Sequence, residues 1–356
     1  MPISVMIKPA SSACNLRCEY CFYSSVSSQR KESFKGMMNR QTAQNIIKKA
    51  FAFADVTDVF FTFQGGEPLL AGITFFEDFV EDIKQLNTKN SKVTVCVQTN
   101  ATLIDDEWCS FFKKNNILVG VSLDGDEELN AYRKYPDGKS SFSDVMHSVE
   151  LLKSHGVTFN ILSVLTSRLA QSYRQAYRFF KQNDLHYLQF IPCLTPFDAE
   201  KTPYSMSNDD YANYLSGCYK LYFNDNMRGN LVSVRQFDNY SLIASGKGAE
   251  QCGMNGPCST QFVVEGDGSV YPCDFYCTDE WLLGNINDGD FFEFYNSRKS
   301  VEFVKESFMM KEECKTCDYF TLCRGGGCKR NRASFDFCEA YKSFFSSFTD
   351  KIVEMA

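Results

Sequence analysis

A chain of 356 residues, 44% hydrophobic and 23% charged, has enough apolar mass for a large α/β domain with an appended unit and too little polarity for extensive disorder. Its net charge of −7 sets it against nucleic-acid backbones, whose recognition rests on a basic face, and no apolar run approaches the length that spans a bilayer. The start MPISVMIKPA lacks the basic and apolar parts of a signal peptide, so a cytoplasmic protein without membrane or nucleic-acid partners is expected, and its 16 cysteines read as metal or redox ligands, not disulfides.

Strand-like runs alternate with helical ones from the start of the chain to about residue 195. The strands are expected at SVMIKP (4–9), DVFFTFQG (58–65), KVTVCVQTN (92–100), LVGVSLDG (118–125), FNILSVLT (159–166) and YLQFIPCL (187–194). Between them lie amphipathic stretches at 40–54, 74–87, 105–115, 143–156 and 172–184. Alternation at this spacing predicts parallel strands joined by right-handed helical crossovers, an open or partial (β/α) barrel. In such folds chemistry gathers in the loops after the strands. The polar motifs keep to that rule: a three-cysteine loop follows the first strand, QGGEP (64–68) the second, QTNAT (98–102) the third, SLDGD (122–126) the fourth and PCLTP (192–196) the sixth.

A helical bridge follows at 208–226. Eight clustered cysteines then lie between Cys252 and Cys338, with a hairpin at QFVVEGDGSVYPCDF (261–275) whose Gly-Asp-Gly marks the turn, and an amphipathic helix closes the chain at 339–355. The expected division is 1–230 for the barrel with its bridge and 231–356 for a cysteine-rich domain. Cys96, Cys109, Cys193, Cys218 and Cys277 stand apart from the clusters and read as small buried hydrophobes.

Cys14, Cys18 and Cys21 fall one ligand short of a closed four-coordinate site, and none of the three histidines is near them. An iron–sulfur cluster with one iron left open suits the count. Zinc with a distant fourth ligand, or a thiol redox site, would also use three cysteines. Glu67 could serve as a helix-start carboxylate, and Gly65 and Gly66 could merely make a turn.

CNLRCEYC, with Tyr20 before its last cysteine, resembles the signature of radical S-adenosylmethionine (radical SAM) enzymes, and GGEP (Gly65 to Pro68) resembles their second motif. That resemblance implies a [4Fe-4S] cluster on Cys14, Cys18 and Cys21 whose free iron takes S-adenosylmethionine. It also implies contacts to that cofactor from Tyr20 and from Gly65, Gly66 and Glu67. The later cysteines resemble the twin-cluster SPASM extension. By that likeness Cys252, Cys258, Cys273 and Cys328 hold one auxiliary [4Fe-4S] cluster, and Cys314, Cys317, Cys323 and Cys338 hold another. RGGG puts four residues between Cys323 and Cys328 where the family pattern has three. Two zinc sites would use the same eight thiols.

Over nearly its whole length the chain is similar to the anaerobic sulfatase-maturating enzymes, through IKPASSACNLRCEYCFY, FQGGEPLLAG, QTNATLID, GVSLDG, LQFIPCL, CGMNGPC and DGSVYPCDFY. The likeness implies oxidation of a sulfatase Cys or Ser to Cα-formylglycine. Carried across, Gln64, Ser122, Arg133 and Leu194 contact S-adenosylmethionine, and Asp274 is the general base. The implied partners are an unfolded sulfatase or a peptide from one, and an electron donor such as flavodoxin or ferredoxin. Taken alone, Ser122 or Arg133 could be a cap or a surface charge and Asp274 a turn former, and Tyr23, Phe275 and Tyr276 could wall a peptide cleft. A sister radical enzyme acting on a ribosomal natural-product peptide would share the three clusters. Such enzymes often carry a leader-binding module, for which a first cysteine this near the start leaves no N-terminal room. A zinc-stabilised binding protein would share only the cysteines.

Overall fold

The computed structural model describes residues 1–199 and 201–356. Its strands are β1 (Ile3–Ile7), β2 (Val59–Phe63), β3 (Val93–Thr99), β4 (Leu118–Ser122), β5 (Phe159–Leu165), β6 (Tyr187–Pro192), β7 (Ser233–Val234), β8 (Phe262–Val264), β9 (Ser269–Tyr271) and β10 (Gly284–Asn285). The chain packs as two compact units, neither of them continuous in sequence. One comprises Met1–Ser122, Arg133–Phe159 and Ser259–Phe303; the other Leu123–Tyr132, Asn160–Cys258 and Val304–Ala356.

In the first unit β1, β2, β3 and β4 are parallel neighbours, with Ile3 opposite Val59 and Val59 opposite Val93. Helices Arg40–Ala54, Ile73–Leu86 and Asp106–Lys114 lie between these strands in sequence, where periodicity predicted them. The first starts cleanly because the Asn39 side chain accepts from Thr42 N–H at 2.9 Å. Phe61 and Phe63 stand edge-on to Phe79, and Phe63 to Phe76, and all four are fully buried. Each such ring contributes roughly 1.5–3 kcal/mol by leaving water.

The hairpin expected near 261–275 is formed by β8 and β9, which are antiparallel to each other. Beyond that expectation, β8 also lies parallel beside β1, with Val5 opposite Phe262 and Ile7 opposite Val264, so it extends the first sheet. Phe262, Val263 and Val264 are buried in succession, and a strand apolar on both faces needs cover on both.

In the second unit β5, β6 and β7 are parallel. Helix Asn208–Met227 opens with a capping box between Ser207 and Asp210. Its Tyr219 packs against Phe237 of helix Arg235–Ala244 and against Phe344 and Phe348 of helix Cys338–Glu354, with centroids 5.2–5.3 Å apart. Helix Arg235–Ala244 and the two-residue β7 lie outside the elements expected from the sequence. Cys109, Cys193, Cys218 and Cys277 are buried as small apolar groups, and Cys96 is half-buried. Among the described residues no helix is long and apolar enough to cross a membrane.

Candidate active site

The parallel register of β1 to β4 sets Lys8, Gln64, Asn100 and Ser122 at the carboxyl ends of successive strands. The loop after β1 carries Cys14, Cys18 and Cys21 and is sewn to the QGGEP loop by backbone bonds from Gly66 N–H to Ser11 C=O (2.9 Å) and from Glu67 N–H to Ala13 C=O (2.8 Å). Side chains tie it to the QTNAT loop as well. Asn100 donates to Asn15 at 2.8 Å, and Asn15 donates to Thr102 at 2.8 Å.

None of the three cysteines is in a disulfide. Leu16 N–H reaches Cys14 Sγ at 3.4 Å, Asn100 Nδ2 reaches the same sulfur at 3.8 Å, and Ser24 N–H reaches Cys21 Sγ at 3.4 Å. Burial pushes the Cys14 thiol up to about 11, against the pull of the Leu16 N–H. Among the described residues no group of three or more His, Cys, Asp or Glu side chains is arranged to hold a single metal ion.

Glu67 is wholly buried. Its carboxylate accepts from Leu69 N–H (3.0 Å), the Thr99 hydroxyl (2.7 Å) and Asn100 N–H (2.8 Å), so it caps the short turn Pro68–Ala71 and clamps the loop to the end of β3. Burial nonetheless pushes its pKa up to about 7, because three donors only partly replace water. The helix-start role weighed for Glu67 is thus the one its own oxygens perform.

Ser122 accepts from Gln98 Nε2 at 3.0 Å. The Arg133 side chain is buried with its guanidinium 5.5 Å from the Tyr20 ring centroid. The two loops also meet through Arg17 N–H donating to Lys134 C=O at 2.7 Å and through a Lys134–Glu19 ion pair.

Asp274 is buried after β9. Gln64 Nε2 donates to its Oδ2 at 3.1 Å, and Lys8 Nζ lies 2.5 Å from its Oδ1. Lys8 is fully buried, with its ammonium 3.8 Å from the centre of the Tyr23 ring. Burial is the largest influence on Lys8 and disfavours its charge, but Asp274, Cys277 and Glu265 outweigh it and raise its pKa. The Tyr23 hydroxyl donates to Glu265 Oε1, which also accepts from Arg30 Nη1 at 2.7 Å. Tyr23 and Tyr276, both weighed as cleft walls, are buried. Lys8, Arg30 and Glu265 carried no local pattern in the sequence.

In the second unit Cys314, Cys317, Cys323 and Cys338 line one cavity of about 360 Å³. Gly326 N–H donates to Cys323 Sγ at 3.2 Å, and burial pushes that thiol up to about 11, with the other three adding to the shift. Burial likewise pushes Cys252 up to about 12, with the nearby Cys328 and Cys258 adding to the shift. The RGGG run turns by four successive positive φ angles at Arg324, Gly325, Gly326 and Gly327. A β-carbon on Gly327 would stand 2.4 Å from the Gly253 carbonyl, so this backbone passes against the segment that follows Cys252. Leu194 is buried in the loop after β6 in this unit, whereas Cys273 belongs to the first.

Comparison with known proteins agrees with this geometry. Residues 9–176 match the radical SAM superfamily and residues 257–318 match an iron–sulfur cluster-binding domain, SPASM. The chain is thus a radical SAM enzyme, with a mixed α/β sheet and a SPASM domain. It is 45% identical to the cysteine-type anaerobic sulfatase-maturating enzyme of Clostridium perfringens strain 13, over all of this chain and 98% of that one. It is 32% identical to the serine-type enzyme of Bacteroides thetaiotaomicron, over 94% of this chain and 84% of that one. The solved structure of native anSMEcpe with bound AdoMet superposes with a TM-score of 0.94 over 99% of both chains at 44% identity, and the same protein with AdoMet and Cp18Cys peptide gives 0.93. The chain belongs to the anaerobic sulfatase-maturating enzymes.

Proposed function

We propose that this enzyme oxidises the target cysteine of an unfolded sulfatase segment to Cα-formylglycine, using S-adenosylmethionine and three [4Fe-4S] clusters, and accepts serine less well. The observation that carries the reading is Asp274, a buried carboxylate held by Gln64 from the QGGEP loop that is itself sewn to the three-cysteine loop. Preference for cysteine rests on the relatives: cysteine-type enzymes are 42–45% identical, serine-type ones 28–32%.

The residues fit the groups. The sulfurs of Cys14 and Cys21 receive N–H donors, which favours thiolate ligands, and Cys18 would complete the set. Cys314, Cys317, Cys323 and Cys338 face one cavity and would hold a cluster there, and Cys252, Cys258 and Cys328 would serve the third. Gln64, Gly65, Gly66, Ser122, Arg133 and Tyr20 would receive S-adenosylmethionine, with Glu67 bracing the loop from behind. When bound, these groups supply a 5′-deoxyadenosyl radical that takes a hydrogen atom from the target Cβ, and an auxiliary cluster that takes one electron.

The protein's own part is the proton. A thiol on a carbon that has lost a hydrogen atom is strongly acidic, and Asp274 is the carboxylate placed to remove it. Loss of a hydrogen atom, a proton and an electron turns CH2–SH into CH=S. Water then replaces sulfur, releasing hydrogen sulfide and leaving the aldehyde. A cytoplasmic setting and a small reduced electron carrier such as flavodoxin or ferredoxin complete the reading. Residues 1–230 would form the radical SAM portion and 231–356 the auxiliary-cluster portion.

The test is anaerobic turnover of a sulfatase peptide with Cys or Ser at the target, followed by mass spectrometry. Formylglycine with one 5′-deoxyadenosine per product supports the reading, and Asp274→Asn should cut product by roughly 100- to 10,000-fold. Cofactor cleavage with neither peptide changed would sink the sulfatase assignment.

A further inference from the structure

We propose that Lys8 is the positioning residue for Asp274, and the proposal rests on the base role just given to that carboxylate. A buried carboxylate that must present one oxygen to a substrate needs its other oxygen fixed, or it swings about its side-chain torsion. Here the two oxygens have different partners: Oδ1 lies 2.5 Å from Lys8 Nζ, and Oδ2 takes the weaker contact from Gln64 at 3.1 Å. The Asp274 side chain keeps 10% of its surface while that of Lys8 keeps none, so the lysine is the closed side of the pair and the carboxylate the open one.

Lys8 is itself braced. Its ammonium sits 3.8 Å from the Tyr23 ring centroid, a contact that steadies a cation without neutralising it. The Tyr23 hydroxyl is anchored on Glu265, and Glu265 is paired with Arg30, with both side chains of that pair at 0% exposure. The contact between Lys8 Nζ and Asp274 Oδ1 is a short ion pair. The chain Arg30–Glu265–Tyr23–Lys8–Asp274 therefore ends on the one carboxylate the reaction uses. It transmits position from the helix Phe22–Ser28, immediately after Cys21, to the base.

The consequence is a division of labour. Without Lys8 the hydrogen atom still leaves the target Cβ, but the thiol proton has no fixed acceptor. A misplacement of about 1 Å in such a group lowers turnover on the order of 100-fold.

The experiment uses the reconstituted full-length enzyme and a peptide carrying deuterium at the target Cβ, with Lys8→Met, Lys8→Arg, Asp274→Asn and the Lys8→Met/Asp274→Asn double variant. In Lys8→Met, deuterium should still reach 5′-deoxyadenosine and KM for peptide and S-adenosylmethionine should stay within about two-fold, while formylglycine kcat falls roughly 100-fold. Lys8→Arg should recover about ten-fold of that loss, because it restores the cation. The double variant should be no slower than Asp274→Asn, since Lys8 acts only through that carboxylate.

Wild-type formylglycine yield in Lys8→Met beside a disabled Asp274→Asn would overturn the Lys8 role alone. So would loss of deuterium transfer in step with product, or a double variant slower than both single ones. Lys8→Gln is the fallback if Lys8→Met does not bind iron, and failure of both to bind iron would make Lys8 a folding residue and end the proposal. Full yield from Asp274→Asn would instead remove the base reading itself.

Discussion

Gly66 lies so close to Ala13 that a β-carbon built on it would stand 2.0 Å from the Ala13 carbonyl oxygen. The approach brings the QGGEP loop against the three-cysteine loop, and Gly66→Ala must push the two apart at a cost of about 1–3 kcal/mol. Iron analysis of the variant should show about four fewer iron atoms per chain, one cluster's worth, and calorimetry should show S-adenosylmethionine binding at least about ten-fold weaker. Gly248→Ala, where a β-carbon meets nothing within 4 Å, should change neither.

Arg30 and Glu265 form an ion pair with no exposed side-chain surface. Arg30→Met leaves Glu265 charged with only the Tyr23 hydroxyl as its hydrogen-bond partner, and should lower unfolding free energy by about 3–5 kcal/mol in anaerobic denaturant titrations. Arg30→Met combined with Glu265→Gln should be the more stable variant, since no lone charge remains.

Stability should fall with rising pH where Glu67 titrates. Burial raises its folded pKa to about 7, above the ordinary value of 4.5. Below 4.5 both states are protonated and the group contributes nothing; between 4.5 and 7 unfolding releases a proton, so stability drops as pH rises and levels off above 7. At about 1.4 kcal/mol per unit the full effect is on the order of 3 kcal/mol. Glu67→Gln should abolish this slope in melting-temperature profiles. It should also cost about 1–3 kcal/mol, because its amide would face the Asn100 N–H that the carboxylate now accepts.

Cys323 faces the cavity it shares with Cys314, Cys317 and Cys338. Cys323→Ala should lower bound iron by about four atoms per chain while cleavage of S-adenosylmethionine persists, since the three-cysteine loop is untouched. Equal iron content in variant and wild type would contradict a cluster there.

Motifs whose chemistry is local were legible in sequence. The spacing of Cys14, Cys18 and Cys21 announced a three-ligand site because one short loop must supply all three thiols. The hairpin showed through Gly266, Asp267 and Gly268, but its place beside β1 did not, because pairing partners far apart in sequence leave no periodic trace. The same holds for the charged chain behind Asp274. Arg30 meets Glu265 across 235 residues and Gln64 meets Asp274 across 210, and a lysine within IKPA looks like any surface lysine. For Glu67 the motif marks the position, and the structure adds the three protein donors on its oxygens, two of them from the end of β3 and the loop after it.

The pairing of β8 with β1 also sets an order of assembly. β1 is flanked on one side by β8, a strand that ends at Val264 and is synthesised long after it. At about 5–20 residues per second, translation takes on the order of tens of seconds to reach it. Until then one edge of β1 stays open, Lys8 lacks its carboxylate, and the three-cysteine loop hangs from a half-built sheet. Iron loaded during synthesis would meet thiols not yet held in place. Cluster delivery should therefore follow release of the chain, and a nascent chain stalled before Ser259 should bind iron poorly at its N-terminal cysteines.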